Sequence, residues 1–300
     1  MISSQNHYVK ISVITACLNA ERTLEQTITS VLDQNYPNLE YIVIDGGSSD
    51  GTPEIIKKYA DKMSRVVSEP DNGIYDAFNK GISMASGDII GILNADDFHA
   101  PWALDTVNRA YGDNPNCDVF FGKVAAIDEE KNCWKVYSLG AASDLIDRMS
   151  IPHPATFLPK RTYDNWGLFD TRFKITGDWD YMLGMYLDGA AFKTIDTALT
   201  AFRLSGASSF LSRNHLRENK TVYKRHLNAR AARRKIIKMY VKYCARRVMK
   251  ATGTYDIYAR FRDNTIFTLE LSGIYAGNAV RMWNEIRAAN EIDAAELLAP

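Results

Sequence analysis

The sequence predicts an α/β fold built on a mostly parallel sheet flanked by helices, with a basic helical extension at its carboxyl end. Three observations predict it. Strand-like and helix-like segments alternate through the first half, the order expected of crossover connections. Each short apolar run ends in a polar, acid-bearing loop, as in GDIIGILNADD from Gly87 to Asp97. The charge is also unevenly spread: Arg213 to Lys250 holds 14 Lys and Arg against the single Glu218, a local +13, in a chain whose net charge is zero. The 46% hydrophobic content is ample for a sizeable core. The four cysteines form no CxxC pair, which excludes a disulfide scaffold and fits a reduced compartment. Met1 to Lys10 lacks the apolar core of a signal peptide, and no window approaches eighteen uninterrupted apolar residues.

Ile11 to Thr15 reads as the first strand. Ala20 to Gln34 follows as a helix, with Leu24, Ile28, Val31 and Leu32 on one face. Tyr41 to Ile44 is a second strand, turned by Gly46 and Gly47 into a helix near Pro53 to Ala60. Val66 and Val67 give a short third strand, and Gly73 to Ala85 a helix. Ile89 to Leu93 is too short for a helix and reads as a buried central strand. Pro101 opens a helix that runs to Tyr111. Val119 to Ile127 and Cys133 to Leu139 form a hairpin across Asp128 to Asn132, and a strand is expected at Thr156 to Leu158. Asp178 to Leu187 reads as a helix and Phe192 to Phe202 as a strand. Composition turns basic at Arg213, which divides the chain into 1–212 and 213–300. In the second part, Ala229 to Lys250 is an amphipathic helix with a cationic surface. Beyond Thr265, Ile266 to Leu271, Ile274, Val280, Trp283 and Ile286 predict a further helix that folds back or contacts a second copy in a homodimer.

Four polar clusters fall where strands end: Thr15, Asn19 and Glu21; Asp45, Ser48 and Asp50; Asp96 and Asp97; and Gly177, Asp178 and Asp180 at the opening of a later helix. In an open α/β sheet, ligands bind beyond the carboxyl ends of the strands, so residues distant in sequence can converge there. Adjacent carboxylates at such a tip repel unless a cation lies between them. Asp96 and Asp97 would equally cap a helix opening at Pro101. Asp45 would equally serve as a turn residue before Gly46, and Asp178 as a cap for its helix.

The segments VITACLNAERTL (Val13 to Leu24), YIVIDGGSSDGT (Tyr41 to Thr52), SEPDNGIYDAFNKGISMASGDIIGILNADD (Ser68 to Asp97), HPATF (His153 to Phe157) and ITGDWDYML (Ile175 to Leu183) resemble the family 2 glycosyltransferases, nucleotide-sugar enzymes of the GT-A fold. The resemblance spans roughly residues 9 to 210. It is strongest to the bacterial subgroup that builds surface polysaccharide or exopolysaccharide. It implies an inverting transfer of a hexose or N-acetylhexosamine from a UDP-sugar to a lipid-linked saccharide. It further implies a cytoplasmic protein at the inner face of the plasma membrane.

Carried over to this chain, the resemblance makes Asp45 the reader of uracil or ribose, with Thr15, Asn19, Glu21 and Ser48 beside it. Asp71, Asn72 and Tyr75 become the floor of the donor pocket. Asp96 becomes the carboxylate that bears Mg²⁺ or Mn²⁺; Asn94 stands at the first position of that motif, where an aspartate is usual. Asp178 becomes the catalytic base, Asp97 and Asp180 acceptor-side groups, and His153 a contact for the metal or diphosphate. Tyr75 and Trp179 offer ring faces for a sugar or for core packing. The basic helix 229–250 fits an anionic membrane surface or a helix packed on the domain, and no nucleic-acid reader motif accompanies it. A sugar-phosphate nucleotidyltransferase would share the acids and Mg²⁺, but CysLeuAsnAlaGluArg replaces the glycine- and basic-rich phosphate loop expected after its first strand. The third reading is a non-catalytic scaffold of the same fold.

Overall fold

In a computed structural model, residues 8–137, 140–204, 212–252, 269–274 and 277–296 are described. The expected parallel core is present. Strand β1 (Ile11–Cys17) lies between β2 (Leu39–Asp45) and β4 (Ile89–Asn94), parallel to both, and β3 (Arg65–Ser68) extends the same parallel set beside β2. The helices between them are α1 (Leu24–Leu32), α2 (Thr52–Tyr59) and α3 (Ile74–Met84).

All seven residues of β1 are buried, because both sheet faces are covered. Ile14 and Ala16 join Ile42, Ile44, Ile90 and Ile92 under Phe78 and Ile82 of α3. Val13 and Cys17 point the other way, with Val43 and Leu93, toward Leu24, Ile28 and Val31 of α1. Each fully buried aliphatic side chain contributes roughly 1.5–3 kcal/mol. Gly81 lets α3 approach this closely, since a Cβ there would lie 2.4 Å from Ile14 Cγ2.

Beyond β4 the sheet turns antiparallel through β8 (Thr156–Pro159), β6 (Val119–Asp128), β7 (Cys133–Tyr137) and β10 (Leu269–Ile274). Strand β9 (Phe192–Arg203) runs parallel to β6 and also pairs with β5 (Phe98–His99). Helix α4 (Ala103–Asp113) packs on β9 and β6, while α5 (Lys160–Trp166) and α6 (Gly177–Leu187) come between β8 and β9 in the chain. Sequence periodicity did not predict β5 or α5, which at two and seven residues are too short to show a period.

The basic part begins with α7 (Arg213–His226) and α8 (Ala229–Ala251). Composition changes at Arg213, yet Val222 and Tyr223 of α7 and Ala232 of α8 share the apolar core of the parallel strands. The tail differs from expectation. Leu269–Ile274 is a strand on the edge of β7, and helix α9 (Ala279–Glu296) follows it. Met282, Trp283 and Ile286 of α9 are buried with Phe98 and Trp134, so this face folds back on the chain. The predicted positions at Ser138, Leu139 and 266–268 lie outside the described residues.

Glu40, buried at the start of β2, accepts from Ser12 Oγ at 2.6 Å, Ser86 N at 2.7 Å, Ser86 Oγ at 2.6 Å and Lys10 Nζ at 3.2 Å. Burial alone would raise its pKa, but these donors together hold it down to about 2. A depressed carboxyl stabilises the fold fully above its ordinary range, and that contribution fades as the pH falls toward 2. Glu40→Gln is expected to cost about 2 kcal/mol at pH 7 and to flatten the acid limb of stability between pH 4.5 and 2, as measured by urea unfolding across that range.

Candidate active site

The strand registers fix the site. Cys17 at the end of β1 pairs with Asp45 on one side, and Ala16 pairs with Asn94 on the other. The ends of β2 and β4 therefore lie one strand apart on the same carboxyl edge, about 10 Å between backbones.

On the β2 side, two loops are laced together. Asn19, at φ 49°, accepts from Ser49 N at 2.9 Å and donates its own N–H to Ser48 Oγ at 2.8 Å. Glu21 accepts from Gly51 N at 2.8 Å. Asp45 is fully buried: one carboxylate oxygen takes Ser48 N and Oγ, the other Ser68 Oγ at 2.6 Å. Thr15 is also fully buried, its hydroxyl 3.1 Å from that of Tyr41. This corrects the expected nucleotide contacts of Thr15 and Asp45, which instead hold the loops from within. The open polar surface belongs to Asn19, Glu21, Asn72 and the half-buried Asp71. Asp71 lies over Gly46, where a Cβ would meet its Oδ2 at 2.6 Å. The pocket is electronegative. Burial, then Asp45, Asp50 and Asp71, push the Cys17 thiol up to about 12.

On the β4 side, Asp96 is half-buried, and no other described side chain donates to its carboxylate. Burial raises its pKa against its own backbone N–H and the nearby Arg203. Asp97 is fully buried and pushed well above the ordinary range, first by burial and then by Asp96. It accepts from Arg203 N at 3.3 Å and Asn94 Nδ2 at 3.4 Å, so it shapes the turn and is not an acceptor-side group. Arg203, also buried, donates to the Asp96 carbonyl and Gln26 Oε1, and to Glu129 Oε1 at 2.8 Å. Asn94 Oδ1 is buried without a partner.

An orphaned amide oxygen two residues from a carboxylate without a side-chain donor fits a hard, oxygen-seeking cation such as Mg²⁺ or Mn²⁺. Among the described residues, no group of three or more His, Cys, Asp or Glu side chains is placed to hold a metal. The donor set suits an ion that completes its shell on phosphate oxygens. His153 was expected at the metal or diphosphate, and the structure places it in the core beside α3. Its ring stacks on Phe78 at 5.3 Å, and both nitrogens are buried without partners. Burial lowers its pKa, with Asp178 opposing.

Asp178 sits half-buried in the first turn of α6. Its Oδ1 accepts from Trp179 N at 2.8 Å and from the Tyr75 hydroxyl at 3.2 Å. The same hydroxyl donates to Ile175 O at 2.9 Å. The approach to this turn is held by Glu218 of α7, which accepts the backbone N–H groups of Lys174, Ile175 and Thr176, each at 2.9 Å. Lys174 Nζ in turn donates to the Asn72 carbonyl, joining the Asp178 loop to the Asp71–Gly73 loop.

Three further expectations are corrected by burial. Tyr75 is a core ring that orients Asp178. Trp179 is enclosed, its indole N–H on Leu145 O at 2.7 Å. Asp180 is paired with Arg225 and His226 of α7 and serves as an anchor. Sequence reasoning missed Arg203, Lys174 and Glu218 as site residues. Glu218 carried a signal, being the lone acid in a strongly basic run.

Acids at the carboxyl edge of the parallel strands, a carboxylate in the first turn of α6 supported by Tyr75 and Trp179 N, and a turn at Asn94–Asp96 that suits a cation are the features of an α/β transferase acting on a nucleotide sugar. Residues 12–177 match the sequence profile of the family described as "Glycosyl transferase family 2". The chain belongs to that family and is a glycosyltransferase of the GT-A fold. It is 29% identical over 189 residues to a "PGL/p-HBAD biosynthesis glycosyltransferase" of Mycobacterium bovis, covering 60% of this chain and 70% of that one. It is 34% identical over 130 residues to the "Cholesterol galactosyltransferase" of Borreliella burgdorferi, covering 42% and 36%. Among solved structures, residues 1–349 of S. aureus TarS in complex with UDP-GlcNAc superpose with a TM-score of 0.59 at 17% identity, covering 76% of this chain and 70% of that one. A longer TarS chain is covered over 39% of its length.

Because Glu218 holds three amides next to Asp178, Glu218→Gln is expected to lower kcat about tenfold while donor KM changes less than about twofold, as read by steady-state kinetics.

Proposed function

We propose that the protein is an inverting transferase that moves a hexose or N-acetylhexosamine from a UDP-sugar to a lipid-linked saccharide during bacterial polysaccharide synthesis. One observation carries this reading. Asp178, held by Tyr75 and Trp179 N and backed by the Glu218 clamp, belongs to a loop tied through Lys174 to the same strand edge that carries Asp96. Asp178 takes the proton of the acceptor hydroxyl as its oxygen attacks the anomeric carbon from the face opposite the departing diphosphate. General-base catalysis of this kind contributes about 10²- to 10⁴-fold.

The donor end is read by Asp71, Asn72 and Asn19, whose oxygens suit ribose hydroxyls and the uracil N3–H. A TarS fragment of the same fold has been solved in complex with UDP-GlcNAc, which supports a uridine donor. Asp96 and Asn94 Oδ1 would hold Mg²⁺ or Mn²⁺, which supplies neutralisation of the diphosphate leaving group when bound. Arg203 fixes their turn by clamping the Asp96 carbonyl.

The acceptor reading draws on the basic helix α8. Together with the absence, among the described residues, of any helix long and apolar enough to cross a membrane, it supports a cytoplasmic protein that works peripherally at the inner face of the plasma membrane.

Asp178→Asn is expected to reduce transfer at least about 100-fold with UDP affinity unchanged, followed by radiolabelled sugar transfer and calorimetry. Full activity in that variant would remove the base assignment. UDP affinity is expected to rise at least about tenfold on adding Mn²⁺, and Asp96→Ala to abolish that gain. Equal calorimetric affinity with and without Mn²⁺ would remove the metal role of Asp96.

A further inference from the structure

Helices α7 and α8 enclose a cleft of about 250 Å³ away from the strand-end acids, lined by Arg213, Leu216, Arg217, Tyr240, Tyr243 and Arg247. Three exposed arginines thus line one open cleft. Arg247 lies 6.0 Å over the Tyr243 ring, and among the described residues no carboxylate forms an ion pair with Arg213, Arg217 or Arg247. Three exposed cations with no acid among them give the cleft a positive potential that favours an anion. Planar guanidinium forks match the oxygens of a phosphate, and the two phenol hydroxyls add donors of the same kind.

The rest of α8 says which phosphate. Its inner face packs on the domain: Ala232 is buried, and Ile236 and Met239 rest against the same core. The opposite face carries Ile237, Val241, Cys244 and Val248 at successive helical turns, all exposed, with Ile237 at 54% and Val241 and Val248 at 62%. Tyr240, 40% exposed, belongs to the cleft and borders this stripe. Exposed Arg234 and Lys238 border it on the other side. A soluble phosphate would fill the cleft and leave the apolar stripe in water. A lipid satisfies both, with its phosphate between the arginines and the stripe against its acyl chains.

We infer that the α7–α8 cleft is a binding site for the phosphate headgroup of an anionic lipid, with Ile237, Val241 and Val248 entering the acyl boundary beside it. The site deepens the membrane-facing part of the functional reading and is independent of the transfer chemistry. Glu218, which clamps the Asp178 loop, lies next to Arg217, so a lipid held here places the membrane surface beside the helix that supports the base.

The test uses the full-length protein and vesicles of phosphatidylcholine with and without phosphatidylglycerol. The variants are Arg217→Gln/Arg247→Gln and, carrying the same change in charge outside the cleft, Arg234→Gln/Lys238→Gln. Binding is measured by co-sedimentation, and UDP affinity by calorimetry on the same samples. The cleft pair is expected to lose on the order of tenfold more vesicle binding than the control pair. Pyrophosphate at matched ionic strength is expected to displace the unsubstituted protein from vesicles. Equal losses in the two pairs would show charge alone at work and overturn the site, as would pyrophosphate binding without any binding to phosphatidylglycerol vesicles. Arg247→Gln alone, an exposed residue, repeats the comparison should the double variant misfold. Unchanged UDP affinity in the variants separates failure of this site from failure of the donor reading.

Discussion

The fully buried strand β1 is the constraint on which the rest depends. Sandwiched between α1 and α3 and paired in parallel with β2 and β4, it has one register that keeps both of its faces apolar. A one-residue slip would turn Ile14 and Ala16 toward α1 and expel Val13 from its layer. The same register places Asp45 and Asn94 within one residue of the same level on either side of it. Packing of the apolar core and placement of the polar edge are thus a single event, and the site inherits the rigidity of the sheet.

Electrostatics gives that edge its character. Burial, and then Asp45, Asp50 and Asp71, raise the Cys17 thiol, while burial also raises the Asp96 and Asp97 carboxyls. Such a surface disfavours an anionic diphosphate unless a cation accompanies it. Arg203, buried nearby, donates to the Asp96 carbonyl, Gln26 and Glu129; it braces the turn and offsets the burial of Asp96 and Asp97 only in part.

Helix α7 connects this chemistry to the basic part of the chain. Glu218 fixes the loop before Asp178, and Arg225 and His226 hold Asp180 one turn further along α6. The change of composition at Arg213 is consequently a change of surface more than a break in the core, since Val222, Tyr223 and Ala232 lie in the same apolar cluster as Ile14.

The sequence by itself determined the parallel core, its helices and the strand-end position of the acids, because period-2 and period-3.6 burial leave direct marks on residue order. It also determined the family, through motifs whose order along the chain is specific. It did not separate acids that face the cleft from acids that brace it. Asp45, Asp97 and Asp180 carry the same local signature as Asp71, Asp96 and Asp178, and only tertiary contacts with Ser68, Arg203 and Arg225 set them apart. Likewise, the apolar positions of α8 read as one stripe, whereas the structure turns Ile236 inward and Ile237, Val241 and Val248 outward. The tail at Leu269–Ile274 became a strand because β7 offered an unpaired edge. In each case the deciding partner lies far away along the chain, and local sequence carries no record of it.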